Sequence, residues 1–331
     1  MTLRQLGTSS LEITPVGLGT WAIGGPGPFG WGPQDDADSI AAIRRAVERG
    51  INWLDTAPVY GLGYSERIVA RALEGFSGAD RPLVFTKVSF RWDNEGTVSH
   101  VLKAASIRAE VDESRRRLDM DVLDLCQIHW PAFPPGGPDA DIEEAWTTLA
   151  ELRGEGKIRE IGVSNFDAAQ LARVQAIAPV TSLQPPYSML MRQIEDGILP
   201  YCFEHGIGVI VYSPMHNGLL TGRMTRERIA SLPESDWRVQ LNPAFKDPHL
   251  SRCLEVVDLL QEVGDRHERS PAELAIAWTL HHPAVTGAIV GGRNSGQIDG
   301  FVGALEFRLS DQEYQEIGVA LPESIGLMDP A

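Results

Sequence analysis

The chain has 331 residues and a formal net charge of −16, with 43% hydrophobic and 22% charged residues. This composition is typical of a globular protein that buries its core without disulfides or metal, and the acidic surface disfavours nucleic acid or an anionic membrane as partner. The three cysteines, Cys126, Cys202 and Cys253, lack paired spacing, and residues 1–10 contain no apolar signal segment. These features predict a cytoplasmic protein with reduced thiols.

Short apolar runs that indicate buried strands alternate with amphipathic segments that indicate helices. The predicted strands are residues 16–18, 52–55, 83–87, 123–129, 160–163, 182–184, 208–212 and 288–291. The predicted helices are residues 36–48, 65–73, 99–118, 142–155, 168–177, 195–205 and 270–282. The repeated alternation favours an α/β fold, a closed (β/α)8 TIM barrel, over an open doubly wound sheet.

Three segments depart from this minimal pattern. Residues 3–14 predict an N-terminal β-hairpin that plugs the bottom of the barrel. Residues 241–267 predict an extra helix before the seventh barrel helix, and residues 310–318 predict another near the carboxyl end. Because no repeat or linker interrupts the pattern, we expect a single domain spanning residues 1–331.

Ionisable side chains end three consecutive predicted strands, at Asp55, Lys87 and His129, and Tyr60 lies just past Asp55. The carboxyl ends of barrel strands face the active site, so we expect these four side chains to converge. A phenol assisted by an ammonium suits proton transfer to a carbonyl oxygen. Tyr60 is the predicted proton donor, and Lys87 is expected to lower its pKa from about 10. We expect Asp55 to pair with Lys87, and His129 to orient the substrate carbonyl.

The segment DTAPVYG at residues 55–61, followed by Ser65-Glu66, resembles the aldo-keto reductase signature around its catalytic Asp and Tyr. Lys87 and His129-Trp130 match the lysine and histidine positions of that family. The segments GVSNF at 162–166 and YSP at 212–214 are similar to further family motifs, and the resemblance extends from residue 3 to residue 309. It implies that a nicotinamide delivers the hydride and that Tyr60 is the general acid.

The resemblance also implies which residues bind the cofactor, which we expect to be NADP(H), with NAD less favoured. Ser164, Asn165 and Gln184 would bind the nicotinamide carboxamide, and the ring of Tyr212 would stack on the nicotinamide. Arg293 would hold the 2′-phosphate of NADP. The complete predicted cofactor-binding set is Gly19, Thr20, Trp21, Asp55, Ser164, Asn165, Gln184, Tyr212, Ser213, Leu219, Arg223, Gly291, Arg293 and Gln297. No GxGxxG segment follows a first strand, so a Rossmann mode of binding is not supported.

The predicted substrate is a small carbonyl compound, contacted by Trp21, Trp92 and Trp130. The glycine-rich loop at residues 24–32 is interpreted either as a mobile lid or as a static turn. The remaining histidines lack the spacing of metal ligands, so we predict no metal site.

Other functions stay open beside carbonyl reduction. A sugar or polyol dehydrogenase would use the same four residues in the opposite direction. A regulatory subunit that binds NADP and turns over slowly is a further alternative, because potassium-channel β subunits also resemble this family. A barrel enzyme without a nicotinamide cofactor, such as an isomerase, is the third. Since loops set the substrate, the fold does not choose among these functions, and no interface pattern indicates an oligomeric state.

Overall fold

The computed structural model describes residues 2–26, 29–137, 141–234 and 236–322. Eight parallel strands form a closed barrel in which Gly291 of the last strand pairs with Gly19 of the first. The barrel strands are Val16–Gly19, Trp53–Asp55, Leu83–Val88, Leu123–Ile128, Ile158–Ser164, Ser182–Gln184, Gly208–Tyr212 and Val285–Gly291. The predicted α/β TIM barrel is therefore confirmed, and buried apolar side chains on these strands form the core.

Helices follow the barrel strands and cover the outside of the sheet. They are Asp36–Glu48, Tyr64–Ala72, Ala104–Leu118, Ile142–Gly154, Ala168–Gln175, Ile198–Glu204, Pro271–Thr279 and Ser295–Asp299. Capping side chains fix several of the helix starts. Asp35 accepts the backbone N–H groups of Ala37 and Asp38, and Ser270 forms a capping box with Glu273.

The segment before the third barrel helix differs from the prediction. Residues 99–103 were expected to be helical, but Val98–His100 forms an antiparallel pair with Phe90–Trp92. The turn between these two strands is held by Asp93, whose carboxylate accepts the N–H groups of Glu95 and Thr97 at 2.9 Å each. The helix consequently begins only at Ala104.

The N-terminal hairpin, Arg4–Gln5 paired with Glu12–Ile13, closes the bottom of the barrel as predicted. Leu6, Leu11 and Ile13 are buried against the interior side chains of the barrel, including Trp53. A Cβ atom on Gly17 would lie 2.2 Å from the Trp53 ring, so only glycine leaves room for this indole in the plug.

Two additional long helices, His249–Asp265 and Asp311–Ala320, confirm the extra helices predicted near the carboxyl end. Shorter helices are Arg226–Ala230 and Trp237–Leu241, and single 3-10 turns are Trp21–Ile23, Gly78–Asp80, His216–Thr221, Pro243–Phe245 and Val302–Leu305. Among the helices in the described residues, none combines the length and apolarity needed to cross a membrane.

Candidate active site

A buried ion pair lies at the carboxyl end of the barrel. Lys87 Nζ donates to Asp55 Oδ1 at 2.6 Å and to the Thr56 carbonyl at 3.0 Å. The other carboxylate oxygen of Asp55 accepts from Gln184 Nε2 at 2.8 Å. The side chains of Lys87 and Asp55 are 0% and 4% exposed, so each charge is balanced by close partners and not by water.

Tyr60 lies beside this pair. Its hydroxyl is 3.4 Å from Lys87 Nζ, and the ammonium is 5.2 Å from the centre of the Tyr60 ring. Burial, followed by the Asp55 carboxylate, raises the pKa of Tyr60 well above its usual value of 10. The expectation that this pKa lies below 10 was therefore wrong, because burial disfavours the phenolate. Burial likewise lowers the pKa of Lys87, which the Asp55 carboxylate partly offsets.

The loop that carries Tyr60 depends on a close backbone approach. Gly61 has φ +59°, and a Cβ atom there would lie 1.8 Å from the Gly24 carbonyl oxygen. Ser65 Oγ also lies 2.7 Å from Thr20 Oγ1, and Thr20 Oγ1 donates to the Asp55 carbonyl at 3.0 Å. These contacts join the ends of the first two barrel strands and fix where Tyr60 emerges.

His129 follows the fourth barrel strand and faces Tyr60. The two rings are 5.7 Å apart and nearly perpendicular, and the Phe90 ring packs on His129 at 5.5 Å. Burial, with the Lys87 charge second, lowers the pKa of His129 well below its usual value of 6.5, so the imidazole is neutral near pH 7. Neither ring nitrogen of His129 has a hydrogen-bond partner among the described residues, so whichever nitrogen carries the proton in the neutral imidazole can donate to a carbonyl oxygen.

A polar network connects the ends of strands five to seven. Asn165 adopts φ 62°, and its side-chain amide donates to the His129 carbonyl at 3.0 Å and to Ser164 Oγ at 3.1 Å. Asn165 Oδ1 accepts the Tyr212 hydroxyl at 2.9 Å, and Ser164 Oγ donates to the Gln184 carbonyl at 2.8 Å. Four of the predicted cofactor contacts thus lie together, and Asn165 connects them to the backbone of His129.

The loop after strand seven has an unusual backbone. Ser213, His216 and Asn217 have positive φ, as do Gly218 and Gly222. In the same loop Leu219 is buried and Arg223 is exposed. The side-chain amide nitrogen of Asn217 is buried and has no partner within the described residues.

These features of the loop fit a nucleotide lying along it. An unpaired buried donor at Asn217 calls for an acceptor, and an exposed guanidinium at Arg223 suits a phosphate. Glycines at 218 and 222 allow the backbone to approach such a group closely.

Arg293, after strand eight, contacts the loop that precedes the first barrel helix. Its Nε donates to Gln34 Oε1 at 2.7 Å, and Gln34 Nε2 donates to the Arg293 carbonyl at 2.8 Å. Another guanidinium nitrogen donates to the Pro33 carbonyl, and the Arg293 N–H donates to Gln297 Oε1 at 2.9 Å. These bonds orient the guanidinium at the end of the barrel where Gly291 ends its strand.

The three predicted tryptophan contacts lie in different surroundings. Trp21 packs against Trp31 and Trp237, with ring centres 4.7 and 5.8 Å away. Trp130 packs on Phe133 at 6.3 Å. Trp92 instead packs on the Arg117 guanidinium, on the side of the helix Ala104–Leu118.

Two aromatic residues beside the site, Phe29 and Phe133, were not singled out as substrate contacts from the sequence. Phe29, Phe90 and Phe133 form a mutually packed group with ring centres 5.1–5.9 Å apart. Phe29 belongs to the glycine-rich loop, whose residues 27 and 28 lie outside the described part. Because these three residues are far apart in the chain, no local sequence pattern indicates that their rings pack together. Across the described residues, no group of three or more metal-ligating side chains is found.

Comparison with known proteins places this geometry among related enzymes. A family model described as the aldo/keto reductase family matches residues 15–321. Aldo-keto reductase YhdN of Bacillus subtilis (strain 168) is 35% identical over 326 residues, covering 98% of this chain and 95% of that protein. The NADH-specific methylglyoxal reductase of Escherichia coli (strain K12) is 34% identical over 319 residues, covering 93% and 94%.

Solved structures of related enzymes are also similar to this chain over nearly its whole length. The glycerol dehydrogenase from Gluconobacter oxydans superposes with a TM-score of 0.87 at 35% identity, covering 99% of this chain and 98% of that one. An aldo-keto reductase from Bacillus halodurans, in its holo form, superposes with a TM-score of 0.80 at 27% identity, covering 99% of both chains. Similarity therefore extends over the whole barrel and is not confined to the motifs.

Proposed function

The chain belongs to the aldo/keto reductase family of oxidoreductases, and on this premise we propose that it reduces small aldehydes or ketones to alcohols with NADPH. The observation that supports this most is the position of the Tyr60 hydroxyl, 3.4 Å from the Lys87 ammonium in a buried site. A protonated phenol beside a fixed cation is suited to giving up its proton as negative charge develops on a carbonyl oxygen.

In the proposed reaction, Gln184, Ser164 and Asn165 would hold the nicotinamide, which would supply the hydride for the carbonyl carbon. Tyr60 donates its phenolic proton to the carbonyl oxygen, so one hydride and one proton give the alcohol. The raised pKa of Tyr60 keeps this proton in place until the oxygen becomes basic. Lys87 stabilises the phenolate that remains, and Asp55 holds Lys87 in position through the 2.6 Å contact.

The neutral imidazole of His129 has a separate role in the proposal. Its N–H donates to the carbonyl oxygen and sets the direction from which Tyr60 reaches that oxygen. A neutral ring serves this purpose better than an imidazolium, because it does not compete with Tyr60 as the proton donor. The depressed pKa of His129 supports this assignment.

The preference for NADPH over NADH rests on Arg293, whose guanidinium would bind the 2′-phosphate that only NADP carries. Arg223 and the loop after strand seven would bind the pyrophosphate that both cofactors share. Gln184, Ser164 and Asn165 would bind the carboxamide. One relative named above is NADH-specific, so NADH is the alternative cofactor to compare.

Polyol oxidation is the second candidate function, favoured by the likeness to a glycerol dehydrogenase. It would use the same residues in reverse, with a Tyr60 phenolate accepting the alcohol proton. The cytoplasmic location indicated by the reduced cysteines stays a prediction.

The test measures cofactor binding by tryptophan fluorescence and then turnover, on wild type and Tyr60→Phe. Substrates would include methylglyoxal, aliphatic and aromatic aldehydes, ketones, sugars and glycerol. We expect both proteins to bind NADPH more tightly than NADH, and only wild type to reduce carbonyl compounds. Glycerol oxidation faster than any carbonyl reduction would favour the second candidate, and absence of nucleotide binding would contradict both.

A further inference from the structure

Glu110 is a buried carboxyl group close to the site that has no part in the proposed chemistry. It lies on the helix Ala104–Leu118 with 1% of its surface exposed. Its Oε2 accepts the backbone N–H of Ser89 at 2.9 Å and that of Phe90 at 3.2 Å. Its Oε1 accepts the Ser106 hydroxyl at 2.9 Å, so three donors converge on one carboxyl group.

The turn that Glu110 contacts contains a backbone conformation that is energetically unfavourable for its residue type. Ser89 follows the end of the third barrel strand with φ 114°, a conformation that L residues rarely adopt. Its hydroxyl is buried and has no hydrogen-bond partner within the described part of the chain. Such a turn needs support from elsewhere in the fold, and the Glu110 carboxyl group supplies it through two backbone N–H groups.

The same turn directs Phe90 toward the site. The Phe90 side chain is 1% exposed, and its ring meets His129 edge to face at 5.5 Å with an interplanar angle of 82°. The rings of Phe29, Phe133 and His100 also pack on Phe90, with centres 5.3, 5.1 and 5.5 Å from its own. Any movement of the turn therefore displaces the Phe90 ring that packs against His129.

We propose that Glu110 is a positioning residue for the active site: its carboxyl group holds the Ser89–Phe90 turn so that the Phe90 ring packs against His129. This inference rests on the proposed function, because it takes His129 to bind the substrate carbonyl. Glu110 acts only through the turn and does not itself reach the substrate.

The electrostatic surroundings make this support depend on pH. Burial raises the pKa of Glu110 to about 7, partly offset by its hydrogen bonds and by Arg91. The groups that face it are Arg91 from the neighbouring short strand and Cys126 from the fourth barrel strand. On its own helix, Glu113 binds Arg91 at 2.9 Å. Because an ionised carboxylate is the stronger acceptor, we expect the turn to be held more firmly above pH 7.

The experiment compares Glu110→Gln and Glu110→Ala with wild type. Asp112→Asn serves as the matched control, since Asp112 is an acid on the same helix that binds Arg115 and Lys157 and not the turn. Three quantities are measured from pH 6 to 8: kcat and KM for a carbonyl substrate, Kd for NADPH, and the NMR shifts of the Ser89 and Phe90 amides. The shifts report the contact without requiring turnover.

We expect Glu110→Ala to lose about 10- to 100-fold in kcat/KM, because hydrogen bonds to a charged group are lost. The Kd for NADPH should stay within about twofold of the wild-type value. Glu110→Gln should recover most of this loss, because its amide oxygen still accepts both N–H groups. The ratio of wild-type to Glu110→Gln kcat/KM should rise between pH 6 and 8. The wild-type Ser89 and Phe90 amides should titrate near pH 7, and those of Glu110→Gln should not.

The inference is overturned if Glu110→Ala matches Asp112→Asn in kcat/KM, if NADPH binding weakens in step with kcat/KM, or if Glu110→Gln is as impaired as Glu110→Ala. Should Glu110→Ala fail to fold, Glu110→Gln decides through the pH ratio and the amide shifts. If wild type reduces no carbonyl compound, the proposed function fails, while the amide titration still shows whether Glu110 holds the turn. Amides that do not respond to pH in wild type would overturn the inference alone.

Discussion

Lys87 and Asp55 form an ion pair with almost no access to water, with Nζ 2.6 Å from Oδ1 and side chains 0% and 4% exposed. Gln184 and the Thr56 carbonyl complete the hydrogen bonding of the two charged groups. Such a pair is tolerated only while both partners are present, because a single charge left in a dry site is costly. Removing either charge is therefore expected to destabilise the folded site more than removing both.

Removing one member of this pair should destabilise the fold. We expect Asp55→Asn to lower the free energy of unfolding by about 3–5 kcal/mol, because it leaves the Lys87 ammonium unpaired. The double variant Asp55→Asn with Lys87→Met should recover at least half of this loss, although it stays inactive. Urea unfolding of the three proteins is the measurement, and an Asp55→Asn variant as stable as wild type would refute the argument.

Tyr60 should remain a protonated phenol well into the alkaline range when no ligand is bound. Burial raises its pKa well above 10, since the phenolate is less solvated than in water. The measurement is an ultraviolet pH titration in which the Tyr60→Phe spectrum is subtracted from that of wild type. We expect no tyrosinate signal from Tyr60 up to pH 10. A signal that develops near pH 8 would show that the Lys87 charge outweighs burial.

Arg293 and Arg223 should affect the two cofactors differently. Arg293→Met should weaken NADPH binding by about 10-fold or more, the value of a charge-assisted hydrogen bond, and NADH binding by less than about threefold. Arg223→Met is the matched control, because a pyrophosphate contact should weaken both cofactors alike. Fluorescence titration gives the dissociation constants for NADPH and NADH, two for each protein. Equal losses for NADPH and NADH in Arg293→Met would contradict the 2′-phosphate assignment.

Glu110 should make the stability of the protein depend on pH. Its pKa is raised by burial from 4.5 to about 7, so the folded state holds a proton that the unfolded chain releases between those values. Although the ionised carboxylate is the stronger acceptor for the turn, the cost of its burial exceeds what its hydrogen bonds contribute. The stabilisation of the folded state is therefore complete below about pH 4.5 and is lost as the pH rises through 7. Between pH 5 and 8, wild type should lose about 2–3 kcal/mol of unfolding free energy relative to Glu110→Gln.

Urea unfolding of both proteins at pH 5 and pH 8 measures this difference. Asp112→Asn should follow wild type, because Asp112 lies at the surface. Wild-type and Glu110→Gln stabilities that change in parallel with pH would show that Glu110 is already ionised below pH 5.

The barrel was predictable from sequence because buried strands leave a local pattern. Runs rich in Val, Ile and Leu identified all eight strands to within a few residues, and Asp55 and Lys87 were evident as charges at strand ends. The hairpin of Phe90–Trp92 and Val98–His100 was missed, since residues 99–118 were assigned to one helix. The turn residues Asp93 and Gly96, with φ +82° at the glycine, were the available signal.

The contacts that orient side chains in the site could not be predicted from local sequence patterns, because they join residues far apart in the chain. Arg293 and Gln34 are 259 residues apart in the chain, and Glu110 lies 21 residues from the Ser89 amide that it binds. The direction of the Tyr60 pKa shift also depends on how deeply the phenol is buried. The sequence predicted that the Lys87 cation lies near Tyr60, but not that burial has the larger effect on the pKa of the phenol.

The most direct test of the central claim, that Tyr60 is the proton donor of a nicotinamide-dependent reductase, is a single-turnover reaction. Wild type and Tyr60→Phe are saturated with NADPH, mixed with a small aldehyde such as methylglyoxal, and followed by loss of NADPH absorbance. We predict equal cofactor binding and a rate of hydride transfer at least about 100-fold slower in Tyr60→Phe, the loss typical of a general acid. A Tyr60→Phe variant that oxidises bound NADPH at the wild-type rate would contradict the account.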